Sequence, residues 1–190
     1  MVITLTVVAI LASLAMPGMT EFGVKQKLIG AAEQVYGHIQ QARSDAIASS
    51  ALTFVKFAAT GTTSWQYGIS TTNNCDLTAT TAATANACVI VVNDGDTTID
   101  GLNGTDTGDR VLMRFTHADY SGNSALEMTL SGLGGGVQFI FDPVRGTLTT
   151  AAGQVDLEST TGLQLRVEVS ALGRVSICSP GGSVANYETC

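Results

Sequence analysis

The distribution of apolar residues divides the chain into a helical part and a β-rich part. Residues 1–16 carry no charge and are almost entirely apolar, and Pro17 ends this run. Between Phe22 and Ile47, apolar residues recur every three or four positions, with lysines, glutamates and glutamines largely on the other side. The pattern predicts one helix over about residues 1–50, with a kink near Pro17 and Gly18. Two unrelated core helices are the alternative.

From residue 52 onward the chain shows short stretches that are typical of strands. Residues 163–169 alternate strictly between apolar and polar side chains, and a turn at 170–173 leads into residues 174–178, which predicts a β-hairpin. Further strands are predicted at residues 52–57, 65–69, 88–92, 110–116, 126–130 and 137–141. We therefore predict an α+β fold, with an N-terminal helix over residues 1–51 and a compact antiparallel β-sheet or sandwich domain over 52–190.

The composition explains how the surface of the β-rich part can be polar with few charges, and it excludes one class of protein and disfavours another. The 190 residues include 9 basic and 16 acidic side chains, which gives a net charge of −7, and the mean hydropathy is +0.27. Overall disorder is excluded, because disordered chains combine low hydrophobicity with high charge. Strong non-specific binding to nucleic acid is disfavoured by the acidic balance. Neutral Thr, Ser, Asn and Gly residues supply most of the polar surface.

The four cysteines form two pairs that are close in sequence. Cys75 and Cys88 flank a loop rich in Thr and Ala, and Cys178 and Cys190 flank the C-terminal tail. No C-x-x-C spacing is present and the two histidines lie far from the cysteines, so a zinc site is disfavoured. An even count of cysteines, each pair closing a segment, favours two local disulfides and an oxidising compartment. Two other connectivities remain open.

Sequence motifs of enzymes are absent, and the remaining ligand candidates are weak. The chain contains no G-x-S-x-G, H-E-x-x-H or Walker sequence, so we expect no enzymatic activity, no cofactor and no catalytic metal. Asp94, Asp96 and Asp100 lie in an acidic segment at 93–109 and are candidate calcium ligands, although a solvated, turn-rich loop is favoured. Asn103 begins a glycosylation sequon.

Several stretches, taken in order, resemble type IV pilins and type II secretion pseudopilins, in particular the GspH/FimT group of minor pilins. Residues 1–17 resemble the part of this family's apolar helix that directly follows its conserved glutamate. Residues 41–47 resemble its Ala-Arg-Ser stretch, and 65–68 its tryptophan-glycine strand. Residues 141–146 resemble its Phe-x-Pro-x-Gly turn, and 173–178 its closing Gly-Arg strand with a cysteine.

The resemblance implies a stalk helix that is held in the inner membrane before assembly and then packs in a helical filament, extracellular or periplasmic. The implied partners are copies of the chain or other pilins, together with the pilus or secretion assembly machinery. The family's glutamate would precede residue 1. The residues assigned to the assembly helix are Val2, Leu5, Val8, Leu11, Leu14, Pro17 and Gly18.

Three functions are compatible with this resemblance. The first is a structural subunit of a type IV pilus-like filament, and the second is a GspH-like pseudopilin at the tip of a type II secretion pseudopilus. The third is DNA capture by a FimT-like minor pilin through a Gly-Arg-x-Arg motif. Gly173 and Arg174 match its first half, but Ser176 replaces the second arginine, and Arg166 would have to join Arg174. Two arginines neutralise little phosphate, so DNA is not an expected partner.

Overall fold

The computed structural model describes residues 2–91, 110–121, 125–134 and 136–190, with the side chains of 2–20 and 121 outside the description. One long helix, α1 (Val2–Ser49), precedes a β-rich region. The strands are β1 (Thr53–Ala58), β2 (Gln66–Ser70), β3 (Val89–Val91), β4 (Arg110–Leu112), β5 (Arg114–Thr116), β6 (Leu126–Ser131), β7 (Gln138–Phe141), β8 (Gly153–Ser159), β9 (Gln164–Val169) and β10 (Val175–Cys178). A short helix, α2 (His117–Ser121), follows β5, and a 3-10 helix spans Pro180–Gly182.

The strands form two four-stranded antiparallel sheets and one small ribbon. The first sheet has the order β5-β2-β1-β7, the second has the order β10-β9-β8-β6, and β3 pairs with β4. The predicted α+β fold, a long N-terminal helix followed by antiparallel sheets, is therefore confirmed. The predicted hairpin of residues 163–178 is β9 and β10, with Val175 opposite Val169.

A single core joins α1 to both sheets. Among the described side chains of α1, which start at residue 21, the buried ones follow helical spacing from Leu28 onward, as the amphipathic pattern predicts. Its small residues allow the helix backbone to lie close to the strands, and large aromatic side chains of β1, β2 and β7 fill the opposite side. The helix residues of this core are Leu28, Ala31, Ala32, Val35, Ile39, Ala42 and Ala46. The predicted boundary at residue 51 between a stalk helix and a head stays a prediction. The helix residues listed here share one core with the strands.

The prediction of one strand over residues 110–116 is wrong. The strand is interrupted at Met113. The N–H of Met113 donates a hydrogen bond to the carbonyl of Cys88, and its carbonyl accepts one from the N–H of Ile69. As a result β4 pairs with β3, whereas β5 pairs with β2. Sequence periodicity cannot show such a break, because tertiary partners on both sides create it.

Besides the 3-10 helix at Pro180–Gly182, two further elements were not predicted. Strand β8 lies between β6 and β9 in the second sheet, and its Val155 and Leu157 are fully buried. The short helix α2 begins where the Asp119 carboxylate accepts hydrogen bonds from the backbone N–H and the hydroxyl of Thr116, at 2.6 and 2.8 Å. In a capping box, the side chain of the third helical residue likewise binds the backbone N–H of the residue that precedes the helix.

The assembly residues predicted in the apolar run lie outside the described side chains. These residues are Val2, Leu5, Val8, Leu11, Leu14, Pro17 and Gly18. Where side chains are described, no helix meets the length and hydrophobicity needed to cross a bilayer.

Candidate functional site

The junction between α1 and the head is fixed by an arginine on the helix. The Nε of Arg43 donates a hydrogen bond to the carbonyl oxygen of Gly146 at 2.9 Å. Gly146 closes the turn after β7, in which the Asp142 carboxylate accepts the backbone N–H groups of Val144 and Arg145 at 2.9 and 3.0 Å. An aspartate that binds the backbone two and three residues later stabilises such a turn. The turn therefore presents the Gly146 carbonyl to the helix.

The hairpin turn between β9 and β10 meets the same point. Gly173 has φ of +75°, and a Cβ placed there would lie 2.0 Å from the Gly146 carbonyl oxygen and 3.0 Å from the Arg43 Nε. Only glycine allows this approach, both for its backbone angle and for space. Three of the stretches that resemble pilins, residues 41–47, 141–146 and 173–178, thus converge at one contact.

Three arginines surround this contact and form a surface that we call the arginine pole: Arg43, Arg145 and Arg174. Arg145 precedes Gly146 and Arg174 follows Gly173, and both are exposed, while Arg43 is half-buried. Two large apolar side chains on the same two turns, Val144 and Leu172, are 82% and 74% exposed.

A groove of about 420 Å³ runs along the arginine pole, between α1 and the start of β10. Arg43 and Arg174 line it from the two sides, and Ser44 and Ile47 form part of its helical wall. Ile47 is 46% exposed. Exposed apolar side chains beside cationic ones are typical of surfaces that bind another protein.

The outer face of the second sheet, which faces away from the core, carries a different charge. The register places polar side chains in three rows across β6, β8, β9 and β10. The first row is Glu127, Glu158 and Gln164; the second is Thr129, Asp156, Arg166 and Cys178; the third is Ser131, Gln154, Glu168 and Ser176. We call this surface the acidic face, because it holds four carboxylates and one guanidinium.

The two arginines considered for DNA binding are not brought together. The Arg166 Nε lies 2.6 Å from the Asp156 carboxylate, with which it forms an ion pair on the acidic face. Arg174 lies opposite Ser170, whose N–H donates to the Arg174 carbonyl at 2.9 Å. Four strand positions separate Ser170 from Arg166, which corresponds to about 13 Å. Arg174 instead shares the arginine pole with Arg43 and Arg145.

A polar cluster lies where α1 meets β2 and α2. The His38 Nδ1 lies 2.8 Å from the Tyr67 hydroxyl, which lies 2.7 Å from the Tyr120 hydroxyl. The imidazole stacks on Phe115 with ring centroids 3.9 Å apart. Burial lowers the pKa of His38 and raises the pKa of both tyrosines. The neutral imidazole is therefore favoured, and the cluster is a structural hydrogen-bond network between helix and head.

Both local cysteine pairs are joined in the structure. The Cys75 and Cys88 sulfurs are 2.08 Å apart, and those of Cys178 and Cys190 are 2.10 Å apart. The second pair lies beside the Glu168 carboxylate, the one group of potential metal ligands found among the described residues. Since both sulfurs are in a disulfide, they offer no thiolate to a metal.

The candidate calcium ligands Asp94, Asp96 and Asp100, and the sequon residue Asn103, fall within residues 92–109, outside the described part of the chain. They stay predictions.

Sequence reasoning did not single out Arg43, Arg145, Val144 or Leu172 as surface residues. The available signal was position: Arg43, Val144 and Arg145 lie within stretches that resemble pilins, and Leu172 directly precedes Gly173, the glycine that the hairpin turn requires. No spacing rule, however, predicts that these motifs meet.

Comparison with models of protein families assigns this chain to a family. The model of the family described as type II transport protein GspH matches residues 31–173, well over half of the chain. The chain belongs to the GspH family. The match spans α1 from Ala31 onward, strands β1 to β9 and the Gly173 turn, and it ends before β10. Comparisons with curated proteins and with solved structures give no match.

Membership of the GspH family fixes the general role. The family consists of structural, pilin-like proteins of type II transport rather than enzymes, and its members assemble with other pseudopilins. The resemblance of the chain to the pilin and pseudopilin superfamily is thereby confirmed, and the role of this chain is that of a pilin-like protein.

Proposed function

We propose that this GspH-family protein is a structural subunit of a type IV pilus-like filament, and that it serves as a pseudopilin of a type II secretion pseudopilus. The observation that supports the proposal is the division of α1. Among its described side chains, which start at residue 21, the first buried one is Leu28, whereas the helix begins at Val2. Residues 2–27 would span about 39 Å as a helix. This length precedes the first described side chain that joins the core.

The chemistry of this N-terminal part suits assembly. Residues 1–16 are uncharged, and Phe22, further along the helix, is 64% exposed. An apolar helix gains little from contact with water and is stabilised by lipid or by other apolar helices. The proposal is that this part is stored in the inner membrane and then packs in the filament interior, leaving the head on a periplasmic or extracellular surface.

The firm connection of α1 to the head suits the same role. A filament subunit that is extracted from a membrane must transmit force between its helix and its head. The Arg43–Gly146 hydrogen bond and the buried helix face, including Val35 and Ile39, provide such a connection. The two disulfides would add resistance to unfolding outside the cytoplasm.

The test is incorporation of the full chain into filaments in its native cells. Leu11→Lys places a charge in the apolar run and is expected to lower the amount recovered in sheared filaments at least tenfold. Thr160→Lys, in an exposed turn of the head, is the matched control and should assemble normally. Normal assembly of Leu11→Lys would contradict the proposal.

The number of copies per filament separates a tip pseudopilin from the main repeat of a pilus. Quantitative mass spectrometry of purified filaments is expected to find few copies relative to the main pseudopilin. If this chain is the most abundant protein, it is instead the repeating subunit of a pilus-like filament.

DNA capture is not favoured by the position of the charges. Arg166 is paired with Asp156, and Glu168 of the acidic face lines the same surface depression as Arg174. We expect no electrophoretic shift of DNA at low salt. A shift that is lost in Arg174→Ala but not in Arg166→Ala would instead support a DNA-binding arginine pole.

A further inference from the structure

We propose that the open edge of β10, formed by the backbone N–H and C=O groups of Val175 and Ile177, binds an extended acidic segment of a different protein as an additional strand. The segment would lie along the groove beside the arginine pole. This inference goes beyond the proposed function, because it concerns the head of one copy and does not require copies to be adjacent in a filament.

Strand β10 forms one edge of the second sheet, because β9 is the only strand with which it pairs in the described part of the chain. The Ser170 N–H donates a hydrogen bond to the Arg174 carbonyl, which fixes the alternation of hydrogen-bonded pairs along this hairpin. Ser176 therefore bonds to β9, whereas the N–H and C=O groups of Val175 and Ile177 point away from it. Among the described residues, none forms a backbone hydrogen bond with these outward groups.

The open edge has a defined length, because the chain itself covers both of its ends. At one end, the Ser179 N–H lies on the same outward side and donates to the Glu188 carbonyl at 2.7 Å, so the C-terminal tail begins a parallel strand there. At the other end, the Gly146 carbonyl lies against Gly173. Gly173 and Ser179 are six strand positions apart, or about 20 Å. An inserted strand of about five residues fits between these two ends.

The groove beside this edge offers space for the side chains of such a strand. Val175 lines the groove of about 420 Å³, and Ser44 and Ile47 of α1 form the facing wall. Alternate side chains of a strand point to the same face, so every second side chain of the segment would enter the groove. An apolar side chain there would cover Ile47, which is 46% exposed. In strand addition, main-chain hydrogen bonds supply affinity, and pockets for alternate side chains supply specificity.

The charge of the groove indicates an acidic segment. Among the described residues that line it, the charged ones are Arg43 and Arg174. Arg174 also lines the depression on the outer face of the sheet that holds Glu168, so Arg43 is the cation that belongs to the groove alone. Asp45, two residues further along α1, lines a different depression. Guanidinium groups bind carboxylates through paired hydrogen bonds, so an Asp or Glu side chain in the segment is the matching group.

A second copy of this chain is a poor occupant of the open edge. If β10 of one copy paired with β10 of another, the two arginine poles would be brought towards each other, and like charges across paired strands are destabilising. Charged side chains on an edge strand also disfavour unselective pairing. A segment of a different protein that carries a carboxylate supplies both the backbone hydrogen bonds and the opposite charge.

The test measures peptide binding to the purified full chain in mild detergent by fluorescence anisotropy. The probe is a fluorescein-labelled octapeptide in which Thr and Val alternate around one central Glu. Replacing that Glu by Lys is expected to lower the affinity at least tenfold. Two further peptides keep every side chain but carry N-methyl groups on one or the other alternate set of backbone amides. Because a strand pairs through one set only, one of these peptides should lose at least tenfold in affinity and the other should bind like the parent peptide.

Variants of the protein locate the binding site. Arg174→Glu is expected to weaken the Glu peptide at least tenfold and to strengthen the Lys peptide, and this gain shows that the variant is folded. Arg110→Glu makes the same change at an exposed arginine of β4 and should leave both affinities unchanged. The inference is overturned if no peptide binds, if the Glu and Lys peptides bind equally, or if both N-methylated peptides bind like the parent. None of these outcomes affects incorporation into filaments, on which the proposed function is tested.

Discussion

Arg43 on the long helix donates a hydrogen bond to the carbonyl oxygen of Gly146, a residue 103 positions later in the chain, at 2.9 Å. The rest of the helix–head contact is mostly apolar packing, which is not directional. A charged donor on a fixed carbonyl adds direction, as does the hydrogen bond between His38 on the same helix and the Tyr67 hydroxyl at 2.8 Å. These contacts, together with the apolar packing, hold the helix against the head.

Removing the guanidinium should weaken the whole molecule. Arg43→Leu is expected to lower the free energy of unfolding by about 1–3 kcal/mol, because a hydrogen bond from a charged group is lost and the Gly146 carbonyl is left without this partner. Denaturant unfolding of the full chain in mild detergent, followed by the fluorescence of the buried Trp65, measures this change. Arg145→Leu, exposed on the adjacent turn, is the matched control and should change stability by less than about 0.5 kcal/mol.

Glycine at position 173 should be required for a steric reason as well as for its backbone angle. Gly173→Ala would place a methyl group 2.0 Å from the Gly146 oxygen, so the turn must move. Gly162→Ala is the matched control, since φ there is +78° but no atom lies within 4 Å. We expect the control to cost about 1–2 kcal/mol through the left-handed backbone, and Gly173→Ala to cost clearly more. Equal losses in thermal or denaturant unfolding would show that the contact has no steric role.

The periodic elements of this fold are the ones that could be predicted. Leu28, Val35, Ile39 and Ala46 lie on one helical face because each is separated by whole turns, and β9 alternates residue by residue. Each of these patterns depends only on the residues of its own segment, so it can be recognised from the sequence of that segment alone. Strand β8 also alternates, with Val155 and Leu157 buried, and could have been recognised from the same signal.

The candidate site could not be predicted, because tertiary contacts create it. The pairing of Glu127 with Glu158 on the acidic face depends on the register between β6 and β8, which no periodicity within either strand gives. Likewise, the break at Met113 comes from backbone hydrogen bonds to Cys88 and Ile69 on neighbouring segments. The turn motifs themselves were recognised in the sequence, but their meeting point at Gly173 is a property of the folded chain.

The two disulfides should differ in their susceptibility to reduction. Cys75 and Cys88 are buried, and Cys88 packs so closely on Gly68 that a Cβ there would lie 2.7 Å from its sulfur. Cys190, by contrast, is exposed at the end of the tail. Exposed disulfides react with thiols more readily. Alkylation and mass spectrometry during titration with dithiothreitol should therefore show reduction of Cys178–Cys190 first.

The loss of either bridge can be measured separately. In the chain-entropy model, closing a loop of 12 or 13 residues contributes about 3 kcal/mol. Replacing Cys178 and Cys190 together by serine is expected to lower the free energy of unfolding by this order, with the helix–head core intact. Simultaneous reduction of both bridges in the native protein would contradict the order of reactivity argued from burial.

The stability of the helix–head junction should fall in mild acid because of His38. Burial lowers the pKa of His38 in the folded protein. Above the ordinary histidine pKa of about 6.5, the imidazole is neutral in both states and carries no penalty. As the pH falls below that value, the unfolded chain takes up the proton before the folded chain does, so the free energy of unfolding decreases, by at most about 1.4 kcal/mol per pH unit.

His38→Gln keeps a neutral hydrogen-bonding group for the Tyr67 hydroxyl, 2.8 Å from the imidazole, but does not titrate. Denaturant unfolding between pH 7 and pH 5 should therefore show a shallower pH dependence for His38→Gln than for the wild type, and parallel curves would show that the other titrating groups account for the acid sensitivity.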